Sequence, residues 1–219
     1  MKNMKFNKSI LALCVVALLV GCATRNYEQL TARDARPIKE PSVTSSISPT
    51  FNQKALPKLA VIVLEAKSSK VLSDAGRGVE VTMMGALLER GFQLATRDDV
   101  ETLLVEIHFQ RDSTLTDKDA VRWGKMLNVQ GVLIVKCEWE VEQFRAGKVG
   151  EWRYLGMPYP KVNFATRAGL GVRLVAVESA EIKWVGRFDL EQDLPIQASA
   201  SEILRKGAIQ LAEKLPRNP

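Results

Sequence analysis

Apolar residues follow two distinct periods along most of this chain, and these periods predict its strands and helices. Lys58–Glu65 is an almost unbroken apolar run rich in Val and Ile, which favours a strand buried on both faces of a sheet. Residues 131–143 begin in the same way and then alternate, so this strand should be buried at one end and have one wet face at the other. Shorter strand patterns cover residues 92–95, 171–177 and 181–190.

A period near 3.6 residues predicts four helices. They cover residues 78–90, 97–110, 116–127 and 198–214. In the first helix Val81, Met84, Leu87 and Leu88 are expected to share the buried face, and Gly91 is expected to end it. The order of these elements predicts the α/β fold class: a single domain with a mixed β-sheet flanked by helices.

The amino-terminal segment carries the pattern of an export signal. Three lysines precede an apolar run, residues 10–20, that closes with Leu19-Val20-Gly21-Cys22. A basic start and a short apolar run are typical of a secretory signal peptide, because a spanning helix needs about 20 apolar residues. The closing residues also resemble a bacterial lipobox, which would make Cys22 the lipid-bearing first residue of the mature chain. An ordinary signal cleaved near Ala23 is the alternative.

A lipid on Cys22 would decide where the protein resides. Each buried methylene contributes about 0.8 kcal/mol, so two or more acyl chains hold firmly. The residue after Cys22 is Ala23, whereas an aspartate at that position would resemble an inner-membrane retention signal. We therefore expect the protein to lie on the periplasmic face of the outer membrane. Four prolines and a Ser/Thr cluster predict a flexible linker before the domain. The predicted organisation is a signal peptide at 1–21, a lipidated amino terminus and linker at 22–57, and the α/β domain at 58–219.

Charge and cysteine content narrow the classes of partner. The chain of 219 residues has 31 Lys and Arg against 25 Asp and Glu, a formal net charge of +6. Three lysines and no acid lie in the signal, so the mature chain has 28 basic and 25 acidic residues, a net charge of +3. This balance and the exported location argue against nucleic acid. Cys137 has no cysteine partner in the mature domain, and its position on an apolar strand face predicts a core residue.

Residues suited to catalysis or metal binding are few. His108 is the only histidine; it stands in a predicted helix with no nucleophile placed beside it. One histidine and one thiol leave a zinc site without its usual ligands. Asp98 and Asp99 look like a carboxylate pair, but their place in the first turn of a helix predicts a capping role. Gly169-Leu170-Gly171 lacks the third glycine of a dinucleotide motif. We therefore expect no enzyme activity, no metal and no cofactor.

The chain resembles the curli assembly lipoprotein (CsgG) family in several stretches. The resemblance is carried first by Arg97-Asp98-Asp99-Val100-Glu101-Thr102-Leu103-Leu104-Val105-Glu106, which is similar to the arginine, spaced leucines and glutamate after that family's second strand. Residues 59–64, 120–135 and 172–186 resemble the family in the same order. Lys136 in place of a glycine and Ser179-Ala180 in place of Thr-Gly depart from it. The resemblance implies a fold like the amino-terminal domain of TolB, a role in envelope secretion, and self-association, since the resembled channel is a ring of identical subunits.

The membrane-crossing hairpins of that channel are not matched in this sequence. Each spanning strand needs roughly 9–11 alternating residues. The stretch 66–77 is too short to hold two such strands, and prolines and glycines interrupt the alternation in residues 145–163. The remaining candidate surface is the aromatic-rich stretch 145–164, where Trp152, Tyr154 and Tyr159 are the candidate partner-binding residues. Folding back over the sheet edge is the alternative for these aromatics.

Together these observations predict a non-catalytic lipoprotein, anchored through Cys22 on the periplasmic face of the outer membrane. Its domain is expected to bind other envelope proteins in secretion or biogenesis, with self-association as a further expectation. A pore-forming secretion subunit and a lipoprotein activator of cell-wall synthases are the alternatives.

Overall fold

The structure, a computed structural model, describes residues 32–33, 40–65, 72–106, 115–146, 153–154, 157–158, 161–194 and 199–216. Its strands are β1 (Ala32–Arg33), β2 (Ser42–Ile47), β3 (Lys58–Glu65), β4 (Gln93–Leu94), β5 (Gly131–Ala146), β6 (Arg153–Tyr154), β7 (Met157–Pro158), β8 (Lys161–Ala176) and β9 (Ile182–Leu194). Its α-helices are α1 (Asp74–Glu89), α2 (Arg97–Glu106), α3 (Asp117–Met126) and α4 (Ala200–Glu213). A short 3₁₀ helix, Gln53–Ala55, precedes β3.

The main sheet is mixed, which confirms the predicted fold class. Its strand order is β2-β9-β8-β5-β3-β4 within the described residues. β3 runs parallel to β4 and β5, whereas β5, β8, β9 and β2 are antiparallel neighbours. β1 adds a two-residue parallel pairing to the far end of β5, and β6 pairs with β7 as a separate ribbon.

Helices lie on both faces of the sheet, so the domain has two hydrophobic cores. On one face α1 and α4 pack over a core that includes Leu133, Trp184 and Phe188. On the other face α2 and α3 pack over a smaller core that includes Ile62 and Trp123. This layering explains the nearly unbroken apolar run of β3, because its side chains lie alternately in one core and in the other.

Local hydrogen bonds fix the ends of the helices. Ser73 caps α1 by accepting from the Gly76 N–H at 3.3 Å, and Gly91, at φ 81°, ends it as predicted. Thr116 and Asp119 form a capping box at the start of α3. Asn128, at φ 50°, ends α3 in the same left-handed conformation.

The predicted buried face of α1 is correct for Leu87 and partly correct for Met84, which packs against the larger core, but it is wrong for Val81 and Leu88. Val81 and Leu88 are 63% and 57% exposed, while Val79 and Met83 are fully buried. Large apolar residues alone do not identify the buried face, because this helix begins one turn earlier than predicted and packs through small residues. These small buried residues are Ala75, Gly76 and Ala86.

Part of the predicted linker belongs to the sheet. β2 lies inside the predicted linker at 22–57 and pairs antiparallel with β9 along six residues. Leu56 is buried as well, and Phe51 packs against the larger core. Both sides of β2 are largely exposed, so its sequence lacks the apolar alternation that identifies a half-buried strand.

Strands β5 and β8 are longer than predicted, at 16 residues each. They pair with each other without interruption, from Gly131 opposite Ala176 to Ala146 opposite Lys161. β3 accompanies β5 only as far as Cys137, so the outer halves of β5, β8 and β9 form a ribbon that extends beyond β3. The aromatic-rich stretch 145–164 is therefore strand at both of its ends.

Buried Glu65 and Cys137 lie side by side where β3 ends. The Glu65 carboxylate accepts from the Ser73 amide at 2.8 Å and the Ser73 hydroxyl at 2.6 Å, at the start of α1. Cys137 pairs with Glu65 across the sheet and is fully buried, which confirms its prediction as a core residue. Burial, and then the charge of Glu65, raise the pKa of the Cys137 thiol far above its ordinary value.

Candidate interaction surface

The sheet face that carries α2 and α3 is only partly covered by them. α2 packs against β3, and α3 packs against β5 and β8 near their buried ends. On β9 and on the outer half of β5 the side chains of this face alternate with the buried ones and are mostly exposed. We call this uncovered part the charged face. Its residues are Lys136, Glu138, Glu140, Arg167, Gly169, Gly171, Arg187, Asp189, Glu191, Ser42 and Thr44.

Cross-strand register arranges these residues in rows. The first row joins Glu140, Arg167 and Glu191; the Arg167 Nε lies 3.1 Å from Glu191 Oε1, and its Nη1 lies 3.8 Å from Glu140 Oε2. This triad ties β5, β8 and β9 together at one end of the face. All three side chains are about half exposed, so the triad contributes modestly to stability and mainly fixes where the charges stand.

Two glycines of β8 leave a trough in the middle of the charged face. Gly169 and Gly171 alternate with buried residues of β8, so neither contributes a side chain to the face between β5 and β9. A Cβ at Gly171 would meet nothing within 4 Å, and one at Gly169 would only reach ordinary contact with Asp189 and Phe188. The strands on either side are about 10 Å apart, wide enough for one extended chain or a row of side chains.

The trough opens into a cavity of about 640 Å³. Its walls are charged side chains, and β-strand backbone forms its floor. The lining residues are Glu40, Ser42, Glu138, Trp139, Glu140, Arg167, Ala168, Gly169, Asp189, Leu190 and Glu191. Five of these are carboxylates and one is an arginine, so the cavity is acidic.

Ion pairs along the strands hold the trough walls in place. On β5 the Lys136 ammonium lies 2.5 Å from the Glu138 carboxylate. On β9 the Arg187 guanidinium donates to both Asp189 oxygens, at 2.5 and 3.0 Å. Hydrogen bonding to Asp189, then its charge and that of Glu138, raise the pKa of Arg187. Each wall therefore presents a cation and an anion in fixed order.

The chemistry of this surface suits recognition. Its carboxylates are engaged by lysine and arginine, and the backbone groups of its floor are already paired with β5 and β9. Among the described residues, no group of three or more potential metal ligands lies close enough together to hold an ion. The same part of the chain contains no helix with the length and apolar character needed to cross a membrane.

Most of the sequence-predicted site residues lie outside this surface. Cys22, Trp152, Tyr159 and His108 are outside the residues that the structure describes. Tyr154 lies in β6, where its backbone pairs with that of Met157 in the short β6–β7 ribbon. Their predicted roles therefore stay predictions.

Two parts of the trough are recognisable in the sequence, but the sequence does not indicate that they form a trough. The alternation in residues 131–143 predicts one wet strand face, and Glu138 and Glu140 are exposed on it. Gly169 and Gly171 resemble the start of a dinucleotide motif in the sequence, whereas in the structure they form the trough. The signal that could have identified the trough is a pair of glycines at i and i+2 in a strand, since these leave a bare strip on one face.

Solved structures give distant likenesses, while no protein-family model and no curated protein matches the chain. A PelC dodecamer structure from Paraburkholderia phytofirmans is 16% identical, with a TM-score of 0.43 over 82% of this chain and 100% of that chain. The LpoB C-terminal domain from Salmonella enterica is 18% identical, with a TM-score of 0.38 over 62% and 83%. Lipoprotein GNA1162 from Neisseria meningitidis is 12% identical, with a TM-score of 0.42 over 72% and 99%. At these values the likenesses carry no argument about function, and the CsgG resemblance stays a prediction.

Proposed function

We propose that this chain is a non-catalytic lipoprotein of the periplasmic face of the outer membrane, whose α/β domain binds other envelope proteins in secretion or biogenesis. Two features support it. The first is the lipobox-like run that ends at Cys22. The second, which carries the protein-binding part, is the charged face with its bare trough.

The trough supports protein binding through its shape and its charge pattern. Gly169 and Gly171 expose strand backbone along β8, and walls of alternating charge flank it. An extended segment of a partner could lie there, with basic side chains reaching the carboxylates. Electrostatic complementarity of this kind selects the partner and speeds its association more than it adds affinity.

A side chain placed in the trough tests this proposal without disturbing the fold. In Gly171→Tyr the new Cβ meets nothing within 4 Å and lies in a strand, which accepts tyrosine readily. Gly85→Tyr is the matched control, because a Cβ at Gly85 on α1 also meets nothing within 4 Å and lies on the opposite face of the domain. We expect crosslinking in intact cells to recover partner proteins with Gly85→Tyr and to lose them with Gly171→Tyr. Equal recovery by both variants would remove the charged face from the proposal.

Lipid attachment is tested separately. We expect mass spectrometry of the mature protein to find acyl chains on Cys22, and Cys22→Ala to shift the protein from the membrane to the soluble periplasmic fraction. Soluble wild-type protein would refute the anchor. Discrete conductance steps from the purified protein in planar bilayers would favour the pore-forming alternative instead.

A further inference from the structure

β2 is an open sheet edge that lacks the usual protection against pairing. It is the last strand of the main sheet, and no strand among the described residues pairs with its outer side. Its sequence, Ser-Val-Thr-Ser-Ser-Ile, contains no charge and no proline, and five of its six residues are exposed. Edges are normally protected by lysines, prolines, bulges or very short length. The opposite edge, β4, is only two residues long.

The pairing with β9 shows which backbone groups point outwards. The Ser48 N–H donates to the Lys183 carbonyl at 2.9 Å, so even-numbered residues of this segment exchange hydrogen bonds with β9. The N–H and C=O groups of Val43, Ser45 and Ile47 therefore point away from the sheet. The next outward positions on either side are Pro41 and Pro49, which have no N–H to donate.

This outward pattern is symmetric about Ser45. Proline stands four residues before and after it, and an apolar β-branched residue, Val43 or Ile47, stands two residues before and after it. We propose that β2 pairs antiparallel with β2 of a second copy of this chain, with Ser45 facing Ser45 across a two-fold axis. The two sheets then join into one continuous sheet, an isologous interface that closes on itself.

The register that follows satisfies the side chains as well as the backbone. Val43 of each copy faces Ile47 of the other, which covers an isoleucine that is now 48% exposed. On the opposite face Thr44 meets Ser46, so hydroxyls face hydroxyls. The three outward pairs supply about six backbone hydrogen bonds, and the prolines end the ladder on both sides.

The row through Asp189 and Ser42 continues in the dimer through Ser48 to Lys183 of the second copy. The Lys183 ammonium is already paired with Glu181 and Thr50 of its own chain, so the ends of the ladder add no new ion pair. The symmetric backbone and side-chain register therefore selects the second copy.

A charge swap at Ser45 tests the two-fold axis directly. We expect sedimentation velocity of the purified full chain to show a dimer at about 100 μM. Ser45→Lys and Ser45→Glu should each weaken dimerisation about fivefold or more, because like charges face each other. An equimolar mixture of the two should recover the dimer. Ser46→Lys, which faces Thr44 and not itself, is the control and should keep the dimer. A monomeric wild type, dimers of either single variant with unchanged affinity, or a mixture that stays monomeric would each overturn the proposal.

Disulfide trapping gives an independent readout of the register. In a chain with Cys14→Ser and Cys22→Ser, Ser45→Cys should form a covalent dimer under mild oxidation, because paired Cα atoms lie about 5.5 Å apart. Thr44→Cys should not, since its own counterpart lies about 8 Å away. Equal crosslinking of both variants would exclude this register. Because Ser45 lies on the opposite face of the sheet from the charged face, its substitution is independent of the proposed partner binding.

Discussion

Gly124 sets the distance between α3 and the sheet, and replacing it tests how tightly this layer is packed. A Cβ at Gly124 would lie 2.2 Å from Val177 Cγ2 and 3.1 Å from Val132 Cγ2. Carbon atoms in contact are normally 3.5–4.0 Å apart, so Gly124→Ala must push α3 outwards or displace Val177. Such overpacking costs about 1–3 kcal/mol. The helical preference of alanine returns about 0.5–1 kcal/mol, so we expect a net loss of about 1–2 kcal/mol.

Gly85 provides the matched control in α1. Nothing lies within 4 Å of a Cβ at this position, so Gly85→Ala should stabilise the domain by about 0.5–1 kcal/mol. Urea unfolding followed by tryptophan fluorescence measures both, and Trp123 beside the mutated residue reports on α3 directly. Removing the obstructing methyl groups in Gly124→Ala/Val177→Ala should make the Gly124→Ala substitution less costly than it is in the wild-type background. The packing argument would be refuted if Gly124→Ala were as stable as Gly85→Ala.

Three further outcomes can be measured on the same protein. The Cys137 thiol should stay unreactive towards a thiol reagent until the protein unfolds, because burial raises its pKa; rapid native labelling would contradict its core position. Hydrogen bonds from the Thr116 side chain and then its backbone lower the pKa of Asp119 below its ordinary 3.8, so its contribution is present above about pH 4 and is lost as pH falls further. Melting curves of wild type and Asp119→Asn should therefore converge between pH 5 and about pH 2.5, and a constant gap would count against the capping box. Ala180 is held at φ 57°, so Ala180→Gly should raise the free energy of unfolding by up to about 1 kcal/mol; a loss would show that the turn is not strained.

The sequence predicts those elements whose side chains are sorted by a core. β3, the buried end of β5, and the packing faces of α3 and α4 follow from apolar periodicity, because each buries one defined set of residues. The sequence does not predict β2, because an edge strand with two exposed sides needs no apolar alternation. The buried face of α1 is predicted only in part, because its close approach to the sheet depends on small residues such as Gly76, which carry little hydrophobic signal.

The candidate surface depends on the register between neighbouring strands, which the pattern of apolar residues does not reveal. Gly169 lies between Glu138 and Asp189 only because of how β8 pairs with its two neighbours. Each of these residues is unremarkable in its own segment, and only their alignment forms a trough with charged walls. Side-chain periodicity specifies which face a residue occupies, whereas the identity of its cross-strand neighbour follows from turn lengths and packing.

The pairing of β2 with β9 also bears on the order in which this chain can assemble. Thr50 and Lys183, which meet just beyond the end of β2, are 133 residues apart in sequence. A chain that emerges amino terminus first must hold residues 42–47 unpaired until β9 has been delivered, and closing so long a loop is slow. β2 therefore cannot dock before β9 is available, and until it docks the edge of β9 is open to chaperones and to neighbouring chains.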